Sequence, residues 1–112
     1  MSDKDRANLF AIIDSCNKIL HFTAHLAGPD AFYEDQRTFD AVLMNFVVIG
    51  EAVSRLSERT KINHGNIPWQ QIKTFRNIIA HEYFGVDAEE VWQIIHDHLP
   101  RLKVDIGKIT AE

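Results

Sequence analysis

The chain predicts an all-α fold, an antiparallel bundle of four to five helices. Three observations carry this. Apolar residues recur at helical spacing through nearly the whole 112-residue sequence. No alternating apolar and polar run of strand length interrupts them. The breaks between periodic segments are short and built from Gly, Pro and polar residues, which favours antiparallel neighbours.

The first helix is expected from Asp5 to about Leu26. Leu9, Ile12, Ile13, Cys16, Ile19 and Leu20 fall on one face, and "AGPD" at 27–30 breaks the pattern. The second helix is expected from about Asp35 to Ser57. Phe39, Val42, Leu43, Phe46, Val47, Ile49, Val53 and Leu56 form a broad stripe, so this helix is the most buried, and Glu51 sits inside it. "ERTKINHGNIP", from Glu58 to Pro68, is polar with Gly and Pro and is expected as a loop. Pro68 precedes a third helix from Trp69 to about Tyr83, with Gly85 as its stop. Asp87 and Glu90 have capping-box spacing for a fourth helix, which carries Val91, Ile94, Ile95, Leu99, Leu102, Ile106 and Ile109. Pro100 inside that run predicts a kink.

One domain, residues 1–112, suits this length. The core is modest, and a second copy would add burial. Cys16 is the single cysteine, so no internal disulfide forms, which fits a reducing compartment. The start, "MSDKDRANLF", lacks the apolar run of a signal peptide, and no stretch of about 18 apolar residues occurs. These features lead us to expect a cytoplasmic protein with no membrane partner.

The net charge of −4 argues against a surface built for non-specific nucleic-acid binding. The charge is uneven, however. Between residues 52 and 80, Arg55, Arg59, Lys61, Lys73 and Arg76 face Glu58 alone. This basic segment runs into "RNIIAHEYFG", residues 76–85, where Arg76, Asn77, His81 and Tyr83 are interleaved with Ile78, Ile79 and Ala80.

Arg supplies a permanently charged fork that fits a phosphate, and His titrates near neutrality and can move a proton. Asn can orient either one. That inventory suits RNA cleavage without a metal: a base takes the ribose 2′-hydroxyl proton, the oxygen attacks the adjacent phosphorus, and Arg stabilises the charge that develops. On an ideal helix Arg76 and His81 lie about 140° apart. Both reach one atom more easily if the helix loosens at His81 or if a second subunit faces it. A two-fold dimer would also supply the second His that an acid–base pair wants. From the residues alone, the group either forms such a site or caps and bridges a neighbouring helix.

Other candidates carry weaker signals. Glu51 is either solvent-facing or paired with a base such as Arg76, whose orientation it would fix. Lys73, Arg55, Arg59 and Lys61 are candidates for an RNA-binding rim. Trp69 and Phe84 could stack on bases, with packing the simpler role. His21 and His25 share a helical face but lack further ligands of zinc spacing, and His96 and His98 point apart, so we expect no metal site.

"RNIIAHEY" resembles the R-x4-H-x-Y signature of HEPN domains, specifically HepT-like toxins. The similarity extends to "NFVVIGEAVSRLSE" at 45–58, "IPWQQIKTFRNIIAHEYFGVD" at 67–87 and "VWQIIHDHLPRLKVDI" at 91–106, in order and at the family's spacing. The resemblance implies a helical homodimer whose motifs face across a cleft. It implies a metal-independent endoribonuclease toxin with no cofactor for cleavage, paired with a minimal nucleotidyltransferase antitoxin, MntA. By position, Arg76 and His81 are the catalytic pair, Asn77 is the adjacent polar residue, and Tyr83 is the tyrosine that the antitoxin modifies with AMP from ATP. The alternative class is a non-catalytic helical subunit that binds a nucleotidyltransferase or a nucleotide.

Overall fold

The computed structural model describes all 112 residues and is helical throughout, with no strand. α1 spans Asp3–Thr23, α2 Pro29–Glu34, α3 Gln36–Arg55, α4 Glu58–Asn63, α5 Trp69–His81, α6 Ala88–Asp97 and α7 Leu99–Thr110, with one 3₁₀ turn at Tyr83–Gly85. α1 and α3 form the centre; α5 packs on α3, α7 on α1, and α2 bridges α3 and α6. Side-chain contacts fix the directions. Asp5 at the start of α1 meets Ser57 just past α3, and Arg6 donates to the Thr110 carbonyl at the end of α7 (2.9 Å). Arg76 in mid-α5 meets Glu51, while Tyr83 beyond α5 meets Asp40 near the start of α3. Each of these neighbours is therefore antiparallel, as short connections require.

The apolar stripes explain the packing. Leu9, Ile12, Cys16 and Ile19 of α1 are fully buried against Val42, Leu43, Ile49 and Val53 of α3, and Val91, Ile95, Leu99, Ile106 and Ile109 complete the core. No helix is long and apolar enough to cross a membrane.

The boundaries depart from the sequence reading in five places. α1 stops at Thr23, before Leu26, because the Thr23 hydroxyl turns back to the Ile19 carbonyl (2.9 Å) and Ala24 closes a tighter turn on His21. The break at 27–30 launches a short helix: Pro29 occupies its first turn and Phe32 is driven into the core. The segment expected as a loop holds α4, capped by the Ser57 hydroxyl, which accepts from the Thr60 N–H (3.3 Å). α5 ends at His81, where Glu82 leaves helical geometry (φ −132°, ψ 40°), so Tyr83 lies in the 3₁₀ turn. Gly85 does not stop it, since no residue adopts positive φ. The final helix is divided at His98, and Pro100 starts α7 in its first turn instead of kinking a continuous helix. Asp87 caps α6 by accepting from Glu89 N–H (2.9 Å), and the return bond expected from Glu90 is not made.

Candidate functional site

The site lies where α5 crosses α3, and its first determinant is a missing side chain. Gly50 is buried in mid-α3, and a β-carbon there would overlap the Cβ and Cγ of Arg76. The absence of that carbon lets the base of Arg76 lie against the α3 backbone. Glycine in a helix interior costs about 1 kcal/mol relative to alanine, so its presence calls for a reason of this kind.

The guanidinium is then held from two sides. Nη2 donates to Glu51 Oε1 in a partly exposed ion pair, and Nη1 donates to Asn77 Oδ1 (2.8 Å). Nε is buried without a partner. The fork is oriented with two of its five N–H donors engaged; the Nε–H is shut away from solvent, and it is the second N–H of each Nη that remains for an incoming acceptor.

Asn77 and His81 are four residues apart on α5, and Lys73 is four before Asn77, so the three share one exposed face. His81 is exposed in the last turn of α5, with no side-chain bond. The helix stays regular up to that residue, with Glu82 N–H bonded to the Ile78 carbonyl (2.8 Å). The angular gap between Arg76 and His81 therefore persists within one chain, and Asn77 links the Arg76 side to the His81 face.

Tyr83 turns back onto α3. Its hydroxyl donates to Asp40 Oδ1, and the Gln36 amide donates to the same oxygen (2.8 Å) and approaches the phenol oxygen at 3.5 Å. The hydrogen bond to Asp40, helped by partial desolvation and the carboxylate's charge, raises the Tyr83 pKa above its ordinary value.

The other candidates scatter. Arg55 follows Glu51 by one turn of α3 and is exposed, as are Arg59 on α4 and Lys73. Lys61 pairs with Glu58 (3.3 Å). Lys61 and Lys73 line one open depression beside Trp69. The Trp69 indole donates to the Lys61 and His64 carbonyls (3.1 Å each), so it anchors the α4–α5 connection. Phe84 is 100% exposed, its ring edge-on to that of Tyr83, which removes a core-packing role. His96 stacks on Trp92, and His98 marks the α6–α7 break. His21 and His25 are exposed at the end of α1 and just beyond it.

Three site residues, Gly50, Asp40 and Gln36, escaped the sequence reading. Gly50 left a signal, as a glycine inside an apolar helix. Asp40 and Gln36 left none, because their contacts with Tyr83 span 43 and 47 positions.

Comparison with known proteins bears on this arrangement. The sequence model of the "Ribonuclease HepT-like" family matches residues 12–109. A "Putative RNase" of Methanocaldococcus jannaschii is 35% identical over 113 residues, covering 100% of this chain and 93% of the relative. A second from the same organism is 30% identical over 107 residues, covering 95% and 97%. A "Probable ribonuclease HepT" of Thermococcus cleftensis is 32% identical over 98 residues, covering 88% of each chain. No solved structure matches. With a family match that takes in α3, α5, α6 and nearly all of α7, this helical chain belongs to the HepT-like ribonuclease family, within the HEPN domains.

Proposed function

We propose that the protein is a metal-independent endoribonuclease, the toxin of a toxin–antitoxin pair, silenced when a minimal nucleotidyltransferase of the MntA type transfers AMP from ATP to Tyr83. The observation that carries this reading is the partly exposed Arg76 fork, oriented by Glu51 and Asn77 with the second N–H of each Nη uncommitted, at the edge of the face that ends in His81. Arg76 receives the scissile phosphate and neutralises the charge that builds on it. His81 takes the 2′-hydroxyl proton as the oxygen attacks phosphorus.

The angle between Arg76 and His81 favours a homodimer in which the two motif helices face each other, so that one His81 acts as base and the partner's His81 as acid. Exposed Met44, Val48 and Ile78 lie on α3 and α5 and offer apolar surface for such an interface. Lys73, Arg55, Arg59 and Lys61 extend the electrostatic attraction for RNA. AMP on Tyr83 adds bulk and negative charge where the RNA backbone must pass, which excludes substrate. Cytoplasmic residence accords with this substrate.

A second reading has one observation in its favour. Glu51 and Asn77 already engage Arg76, as expected of a structural arginine in a non-catalytic subunit that binds a nucleotidyltransferase or a nucleotide. Purified protein incubated with total RNA in EDTA separates the two. The nuclease reading expects cleavage by wild type and a loss of about 100-fold or more in His81→Ala. Absence of cleavage by folded wild type with unmodified Tyr83 would assign the chain to the partner-subunit class.

A further inference from the structure

Tyr83 is one of two tyrosines, and it is the less accessible. Tyr33 on α2 is 70% exposed against 37% for Tyr83, and its hydroxyl makes no hydrogen bond in the protein. Exposure alone would therefore direct a modifying enzyme to Tyr33. What distinguishes Tyr83 is a carboxylate already bound to its proton. Asp40 stands on the second turn of α3, and Gln36, one turn earlier on the same face, donates to Asp40 Oδ1 (2.8 Å). The amide holds the carboxylate in place against the phenol. No other charged side chain bonds to either group.

Building on the proposed modification of Tyr83, we infer that Asp40 is the base for that reaction: it accepts the phenolic proton as Tyr83 Oη attacks the α-phosphorus of a nucleoside triphosphate. The Oη–Pα bond forms and the bond from Pα to the bridging oxygen of the β-phosphate breaks. That electron pair leaves with pyrophosphate, and the proton passes along the existing hydrogen bond to Asp40. The chemistry requires such an acceptor. A phenol with a raised pKa is un-ionised at neutral pH, and a neutral phenol is a poor nucleophile until its proton has somewhere to go. The modified chain thus supplies part of the machinery for its own modification, and the choice of Tyr83 over Tyr33 follows from where that base stands.

The test compares wild type, Asp40→Asn and Asp40→Glu as substrates of the cognate minimal nucleotidyltransferase with magnesium and ATP. Mass spectrometry follows AMP on each tyrosine from pH 6 to 10. Asparagine can still accept the phenol hydrogen bond and anchor the turn but cannot take the proton. The expected result is modification of Tyr83 alone in wild type and a loss of about 100-fold in Asp40→Asn. The residual Asn rate should climb with pH as tyrosinate forms, and Asp40→Glu should recover part of the wild-type rate. Matching melting temperatures establish that the variants are folded. Equal rates and pH profiles for wild type and Asp40→Asn would overturn the role of Asp40 while leaving Tyr83 as the modified residue. Failure of wild type to accept AMP on Tyr83 would overturn both.

Discussion

Arg76 lies directly on Gly50, with no room between them for a β-carbon. Gly50→Ala gains intrinsic helix propensity yet places a methyl group inside the Arg76 side chain. The overlap involves Cβ and Cγ, which cannot swing away as a flexible tip could. We expect a net destabilisation of about 1–3 kcal/mol, read from the urea midpoint, together with a loss of RNA cleavage. A variant as stable and as active as wild type would show that α5 can shift off α3 freely.

Glu51→Gln keeps an acceptor for Arg76 and removes the charge. The pair is partly exposed, so stability should fall by no more than about 1 kcal/mol. Cleavage should fall more, by about tenfold, because the fork loses the stronger of its two anchors. If both fold and activity stay unchanged, Glu51 does not orient Arg76.

Much of this arrangement was legible before any coordinates. The apolar stripes of α1, α3 and the α6–α7 run placed the bundle, and of the two readings open for Glu51, solvent-facing or paired with a base, the structure shows the pair with Arg76. The two short helices were hidden for different reasons. α2 has only six residues, too few for periodicity to register, and its key residue is a lone Phe32. α4 is polar and held largely through the buried Asp5, 52 positions from Ser57, a dependence local pattern cannot reveal. Pro100 was misplaced by assuming continuity: the apolar spacing of α6 runs on into α7, although the chain breaks at His98.

Asp5 stitches the start of α1 to α4. Its carboxylate accepts from the Ser57 N–H (3.0 Å), the Ser57 hydroxyl (2.5 Å) and the Thr60 hydroxyl (2.6 Å). Burial acts to raise its pKa, and these bonds outweigh burial, so the value lies below that of an ordinary carboxylate. A folded-state pKa below the unfolded one gives stability that is present at neutral pH and is lost as pH falls through the folded value. Asp5→Ala should cost about 3 kcal/mol at pH 7, and denaturant midpoints should show the gap from wild type shrinking on acidification. An equal gap at pH 7 and pH 3 would contradict this account.

Cys16 is fully buried in α1, and desolvation pushes its thiol up to about 12, with Lys103 pulling weakly the other way. A chromogenic disulfide reagent at pH 8 should leave it untouched in the native state and label it fully in denaturant. Prompt labelling of folded protein would mean that α1 opens readily.

α3 is a continuous helix, and Asp40 and Glu51 are eleven positions apart on it. Eleven residues complete just over three whole turns, roughly 16 Å of rise with about 20° of rotational slip. The two carboxylates therefore look out along one line, one toward Arg76 and the other toward Tyr83. A single residue inserted or deleted between them would swing one carboxylate by about 100° around the axis and uncouple the Arg76 contact from the Tyr83 contact. Between positions 40 and 51, an insertion or deletion would keep both contacts only in steps that restore the phase of the helix.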